Sequence, residues 1–229
     1  LLPQTHSLSG WIGYKTLTAD VDGDGRDDLI WNQLTATTNR IYVALAKETP
    51  EGDFDLTKPY QEHPIAGNWS GYEIFVGDVN RDGRDDLIWN EKSQTTNRIY
   101  VGLGTSEGTF DLSSPLQEHP LSGWVGYRTL MADVDGDGDS DLIWNQTNMD
   151  PNRTYVGLSD GINTFDLTTQ KQDHPVVCCW ANYSVQTADV NGDGQADLVW
   201  NKLVGGVNRT YVGLGPVLFD VFVPMIRGE

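Results

Sequence analysis

The stretch DVDGDGRDDLIWN, residues 20–32, carries five aspartates within the nine positions from Asp20 to Asp28. Carboxylates this close repel one another, and burying them unpaired is costly. Counted from Asp20, side-chain oxygens fall at positions 1, 3, 5 and 9, on Asp20, Asp22, Asp24 and Asp28. Gly25 occupies position 6, where a sharp turn needs positive φ. Position 7, Arg26, offers a backbone carbonyl. Hard oxygen donors alternating around a glycine turn are the ligand set that Ca²⁺ takes.

The same loop occurs three more times. Its oxygens are Asp78, Asn80, Asp82 and Asp86, with the Arg84 carbonyl; Asp133, Asp135, Asp137 and Asp141, with the Asp139 carbonyl; and Asp189, Asn191, Asp193 and Asp197, with the Gln195 carbonyl. Four divalent ions would bring the net charge from −18 to −10. An EF-hand is excluded, because Trp31, Trp89, Trp144 and Trp200 stand where its bidentate Glu belongs. The loop also leads into a strand-like apolar run rather than a helix. Calcium is therefore the expected cofactor, in a structural rather than catalytic role.

The elements that position these loops are repeats. Successive loops start 58, 55 and 56 residues apart. The units run approximately over 1–60, 61–116, 117–171 and 172–229. Each has a connector such as HPLSGWVGY, a strand such as YRTLMAD, the acidic loop, and a second strand, DLIWN. A polar stretch, a third strand such as NRTYVGL, a Gly-rich turn and a fourth extended piece such as TFDLTTQKQDH follow. Period-2 alternation, with Ile41, Val43 and Leu45 on one side and Arg40, Tyr42 and Ala44 on the other, marks strands. No helical periodicity is evident. Four short strands per repeat predict an all-β fold, a β-propeller of four-stranded blades forming one domain over 1–229.

DxDGDGxxDL followed by YVGLG resembles the FG-GAP/VCBS repeat of integrin α-subunit propellers and of related bacterial and fungal secreted propellers. The resemblance covers all four units, with IWNQ standing where GAP would be. It implies calcium in the loops joining first and second strands, and ligand binding on the opposite face. Fungal integrin-like lectins of this kind imply N-acetylglucosamine-type sugars bound between blades.

The repeated aromatic and polar residues fit such a face. Trp11/Tyr14, Trp69/Tyr72, Trp124/Tyr127 and Trp180/Tyr183 form W-x-x-Y pairs in the connectors. The second strand ends in WN: Trp31/Asn32, Trp89/Asn90, Trp144/Asn145 and Trp200/Asn201. The third opens in NR: Asn39/Arg40, Asn97/Arg98, Asn152/Arg153 and Asn208/Arg209. All these gather at the end of the blades away from the acidic loops. Rings cover the apolar faces of sugars while amides and guanidinium groups take hydroxyls. Inter-blade packing and loop capping suit the same residues. Packing is the expected role of the WN tryptophans, and ligand contact that of the connector set. His6, His63, His119 and His174 are isolated and suit connector hydrogen bonds better than a metal.

At pI ≈ 4.3 the chain would repel nucleic acid and anionic membrane. No apolar run reaches the ~20 residues of a membrane span. No secretory leader opens the sequence, so an exported form is expected to have lost it. The cysteines, Cys178 and Cys179, are adjacent, and suit a vicinal disulfide or free thiols. Sequons fall at Asn68, Asn145, Asn152, Asn182 and Asn208, three of them on repeat positions. No catalytic triad, GxSxG, HExxH or phosphate loop is present, so the chain is not expected to be an enzyme. The expected function is extracellular, calcium-stabilised carbohydrate binding, with glycans or glycoproteins as partners. The alternatives are an integrin-like protein-binding module and a non-catalytic domain of a larger secreted enzyme or toxin.

Overall fold

A computed structural model describes residues 3–6, 10–50, 52–146, 149–168, 172–174, 180, 183–204, 207–215 and 222–225. Every regular element among them is a strand. The first repeat forms β1 (Tyr14–Ala19), β2 (Asp28–Leu34), β3 (Asn39–Ala46), β4 (Phe54–Asp55) and β5 (Gln61–Glu62). The second forms β6 (Tyr72–Gly77), β7 (Asp86–Lys92), β8 (Asn97–Gly104), β9 (Phe110–Asp111) and β10 (Gln117–Glu118). The third forms β11 (Tyr127–Ala132), β12 (Asp141–Gln146), β13 (Arg153–Ser159), β14 (Phe165–Asp166) and β15 (Gln172–Asp173). The fourth forms β16 (Ser184–Ala188), β17 (Asp197–Val204), β18 (Val207–Gly213) and β19 (Phe222–Met225).

Each repeat is one antiparallel sheet. The first three strands pair in chain order, and the third strand's other edge carries the short pieces. The expected fourth strand is therefore divided, with β4 and β5 both lying along β3. Local chemistry divides it. Asp55 Oδ1 accepts from the Thr57 amide and hydroxyl, and Asp166 Oδ1 does the same for Thr168. Such turns compete with a ladder. Pro59 and Pro115 then remove a donor from the first two repeats.

The chain divides into two compact units, Leu1–Glu91 with Arg98–Gln117, and Lys92–Asn97 with Glu118–Glu229. In the first, Ile30, Ile41 and Val43 of one sheet pack against Tyr72, Ile74, Leu87 and Trp89 of the next. Trp89 Nε1 donates to Asn32 Oδ1 at 3.0 Å. The Asp85 amide donates to the Asp20 carbonyl at 2.7 Å, and the Asp20 amide donates to Asp85 Oδ2 at 3.0 Å. Within the second unit the pattern recurs. Val134, Ile143 and Val156 pack against Val185, Leu198 and Trp200. Trp200 Nε1 donates to Asn145 Oδ1 at 3.1 Å, and the Ala196 amide to the Asp133 carbonyl at 2.7 Å. Within each unit the WN motif is thus an intersheet device, in which Asn32 and Asn145 accept from the next repeat's indole.

Tyr42 departs from the expected alternation: it is buried as well as Ile41 and Val43, because the rings of His6, Trp11 and Tyr14 in its own repeat pack against it.

Trp89→Phe keeps an aromatic ring but leaves a small void in the core and the buried Asn32 carbonyl oxygen without its indole donor. Such a loss costs about 1–3 kcal/mol. The variant is expected to unfold at lower denaturant with an unchanged slope, read by fluorescence-monitored urea titration.

Candidate functional site

Two features of each repeat carry chemistry: the acidic loop and the aromatic connector.

In the first loop, Asp20 Oδ1 accepts from the Gly23 and Asp24 amides, and Oδ2 from the Gly25 amide at 2.8 Å. The expected positive φ at position 6 is present, at 85° for Gly25 and 80° for Gly83. A second position also needs it. Gly23 has φ 77°, and its counterpart Arg81 holds 59° without being glycine. The drift from glycine to arginine concealed that requirement in the sequence.

Asp28 is buried at the base of the loop. Its Oδ2 accepts from the Val21 amide at 3.1 Å and its Oδ1 from the Ala46 amide at 2.8 Å. Asp86 holds Val79 and Gly104, Asp141 holds Val134 and Ser159, and Asp197 holds Val190 and Gly215 in the same way. Position 9 therefore fastens the start of the loop to the end of the third strand.

Carboxylate oxygens of Asp20, Asp22 and Asp28 lie within 4.8 Å of one another, as do those of Asp133, Asp135 and Asp141. Asp24 and Asp137 stand outside these two groups. The guanidinium groups of Arg26 and Arg84 contact the Asp24 and Asp82 carboxylates. Arg84 also donates from Nε to the Gly104 carbonyl at 2.9 Å. Burial, opposed by the two amide bonds, pushes Asp28 up to about 6 and Asp86 and Asp141 up to about 7. Asp22 and Asp135 are also raised, by burial and then by the neighbouring Asp24 and Asp137. Converging oxygens that resist ionisation on their own are a fitting donor set for a hard divalent cation.

The connectors build a different environment. The Trp69 amide donates to the Thr35 carbonyl at 2.8 Å, and the Trp124 amide to the Ser93 carbonyl at 3.1 Å. The Trp69 indole donates to the Ile65 carbonyl, and the Trp124 indole to the Leu121 carbonyl. His63 Nδ1 accepts from the Ile65 amide, as His119 Nδ1 does from Leu121. The ring of Trp69 lies 4.5 Å from His63, 4.8 Å from Tyr72 and 5.1 Å from Tyr100, centre to centre. The same cluster recurs around Trp11, Trp124 and Trp180. Gln61 adds a contact the sequence did not reveal, pairing its amide group with the Phe110 backbone at 2.8 Å in both directions.

This geometry revises the expected ligand set. Trp69, Trp124 and Trp180 are almost wholly buried, as aromatic core. Asn39, Asn97 and Asn152 are buried too. Asn39 accepts from Asn32, and Asn152 from Asn145, so they close the sheet end rather than facing out. Asn208 is exposed and accepts from Asn201. The arginines reach the surface. Arg40 pairs with Glu62 at 3.0 Å and Arg153 with Asp173 at 3.1 Å. Arg98 lies 3.8 Å from Glu91. Tyr14 is half-buried, while Tyr72 and Tyr183 are buried.

A pocket of about 220 Å³ opens in the second repeat. Its walls include Asn68, Trp69, Tyr72, Glu91, Arg98 and Tyr100. It lies within one repeat, not between two. Asn145 and Asn152 are too buried to accept a glycan, whereas Asn68 is exposed. Cys178, Cys179 and Asn182 lie outside the described residues.

An FG-GAP-like repeat model matches residues 20–89, 78–144 and 133–200. The chain belongs to the FG-GAP-like repeat family. Each match runs from one acidic loop to the WN strand of the following repeat, and for 20–89 and 133–200 that is the span that the intersheet bonds fasten together. FG-GAP-like relatives include integrin alpha pat-2 of Caenorhabditis elegans, 26% identical over 82% of this chain and 17% of that protein. Mouse integrin alpha-IIb is 24% identical over 59% of this chain and 15% of its own length. Bovine phosphatidylinositol-glycan-specific phospholipase D is 27% identical over 58% of this chain and 18% of its own length. The chain thus spans about a sixth of the length of the first of these relatives. With its all-β repeats, the family places it among integrin-like FG-GAP propeller modules.

Protons and a cation compete for Asp28, Asp86 and Asp141. Their folded values lie above the ordinary 3.8, so without metal their burial weakens folding near neutral pH and this penalty fades as pH falls. The calcium-induced rise in Tm is therefore expected to be largest near pH 8 and to shrink steadily towards about pH 5. His63 and His119, pushed down to about 4 by burial, act alike with or without metal. Their unfolded forms take up protons below 6.5, so acid destabilises the fold from about 6.5 to 4. Thermal unfolding in calcium and in EDTA across this range separates the two effects. An increment independent of pH contradicts the assignment of the buried aspartates.

Proposed function

We propose that the chain is a calcium-stabilised, extracellular carbohydrate-binding propeller module. The observation that carries this reading is the second-repeat pocket. Trp69, Tyr72 and Tyr100 supply aromatic walls, and Asn68, Glu91 and Arg98 supply hydrogen-bonding groups of both polarities. That mixture suits a sugar ring, which has an apolar C–H face and a hydroxyl edge. Neighbouring repeats keep the same aromatic framework, and Tyr127, Tyr183, Arg40, Arg153 and Arg209 are the corresponding contacts.

The cation belongs to the other end of each sheet. Asp20, Asp22, Asp24, Asp28 and the Arg26 carbonyl would hold one ion in the first repeat, and the corresponding residues would hold one in each later repeat. Bound there, calcium supplies charge neutralisation and fixes the turn between first and second strands. Oxygen loops of modest affinity fill at extracellular calcium levels.

A second reading has its own support. Two of the three named relatives are integrin alpha chains, which favours a protein-binding module using the same arginine-rich end. The phospholipase D relative is an enzyme by name, and fits a chain that serves as a non-catalytic part of something larger.

A glycan array probed in calcium is expected to show binding. Arg98→Ala and Tyr72→Phe should each weaken it about tenfold, the loss of roughly one hydrogen bond to a charged or buried group, with Tm nearly unchanged. Absence of binding to any glycan removes the carbohydrate reading. Capture of a partner that survives deglycosylation selects the protein-binding one.

A further inference from the structure

The second connector differs from its counterparts by one residue. From its histidine to its tyrosine it runs over ten positions, 63–72, where the first and third run over nine, 6–14 and 119–127. The extra residue is Asn68, inserted directly before Trp69. The fourth connector, 174–183, is also ten residues long, but Cys179 stands in that place and lies outside the described residues.

The insertion changes how the backbone turns. Gly10 and Gly123 precede Trp11 and Trp124 at φ 88° and 89°, in the left-handed region that glycine enters without strain. No residue of 63–72 has positive φ. A side chain makes the turn there instead. Asn68 Oδ1 accepts from the Ser70 amide at 3.1 Å and from the Ser70 hydroxyl at 2.6 Å, a bonding pattern that asparagine favours in turns. Those two bonds use only the oxygen. Among the described residues Asn68 Nδ2 donates to no protein atom. Asn68 is exposed and lines the pocket together with Trp69, Tyr72, Glu91 and Arg98. Its carboxamide is therefore held at one end while its two N–H groups are available at the pocket wall. A donor fixed before the ligand arrives loses less entropy on binding.

We propose that Asn68 makes the second-repeat pocket the principal sugar site of this chain, by donating from Nδ2 to a hydroxyl oxygen of a neutral hexose. The inference rests on the carbohydrate reading above and adds the residue that ranks the repeats. The first and third repeats keep the aromatic framework and the arginine, but their shorter connectors have no residue at this place.

Calorimetric titration of the unglycosylated, calcium-loaded chain with methyl glycosides of neutral hexoses and 2-acetamidohexoses tests this. One site per chain is expected to bind at least about tenfold more tightly than any other, the difference that one hydrogen bond makes. Asn68→Asp keeps the oxygen that Ser70 bonds, so the turn and the parent Tm should persist while the Nδ2 donor is lost. It should weaken the tight site about tenfold and leave weaker sites as they were. Asn68→Ala, which adds no charge, should weaken the tight site as much. A residue that only shapes the turn would leave the binding of Asn68→Asp at the parent level. That result, or several sites of equal affinity in the parent, overturns the role of Asn68 and leaves the carbohydrate reading standing. Absence of binding to all of these glycosides also overturns it, and the glycan array then decides whether the carbohydrate reading falls with it.

Discussion

The structure depends on a buried carboxylate that does two jobs at once. The aspartate at loop position 9 accepts one amide from the start of its loop and one from the end of the third strand. This fixes where the acidic loop sits on the sheet, and so where the remaining oxygens converge. Burying that negative charge is unfavourable, and two neutral amide donors reduce the penalty without abolishing it. A cation at the loop would oppose the same penalty. The site that gathers the oxygens is thus also the site where an ion would relieve the penalty most, so that metal affinity, under the proposed calcium role, would be tied to the packing of the sheet.

From that anchored loop the intersheet contacts follow. Asp85 reaches back to the preceding loop through its own amide and carboxylate. At the other end of the sheets the indole of Trp89 reaches back to Asn32. Each pair of neighbouring sheets within a unit is pinned at two separated points, with an apolar layer between them. This is the logic of repeat proteins, in which no unit buries its own faces and each depends on its neighbours.

Much of this was legible in the sequence. The loop spacing, the repeat length and the all-β character are written in residues that recur in all four units. The roles of the two tryptophan sets were only half legible. Packing was expected for the WN set and is found, but the connector set is buried as well. Repetition marks a residue as necessary to the unit without saying whether it faces a neighbour or a ligand. The NR asparagines misled for the same reason. An amide that caps a sheet end inside the protein and an amide that binds a sugar look alike in one dimension. The divided fourth strand was readable in principle from Asp55, Thr57 and Pro59, whose turn chemistry competes with a ladder. Gln61 was not readable, because pairing a side-chain amide with a distant backbone leaves no local pattern.

If the aromatic connectors bind ligands as proposed, differences between repeats bear on recognition more than their likeness does. The residue that ends the second strand beyond WN is Gln33 in the first repeat, Glu91 in the second, Gln146 in the third and Lys202 in the fourth. Glu91 places a carboxylate beside Arg98 and the Tyr72 phenol, and raises that phenol's pKa further after burial has done so. Lys202 instead sets an ammonium over the Tyr183 ring at 5.3 Å. Gln146 carries a neutral amide, and that amide is buried. One aromatic framework therefore carries an acidic, a neutral or a basic group at the same place. Ligands that share an apolar face but differ in charge would be sorted among the repeats by that single position, while the scaffold beneath stays the same.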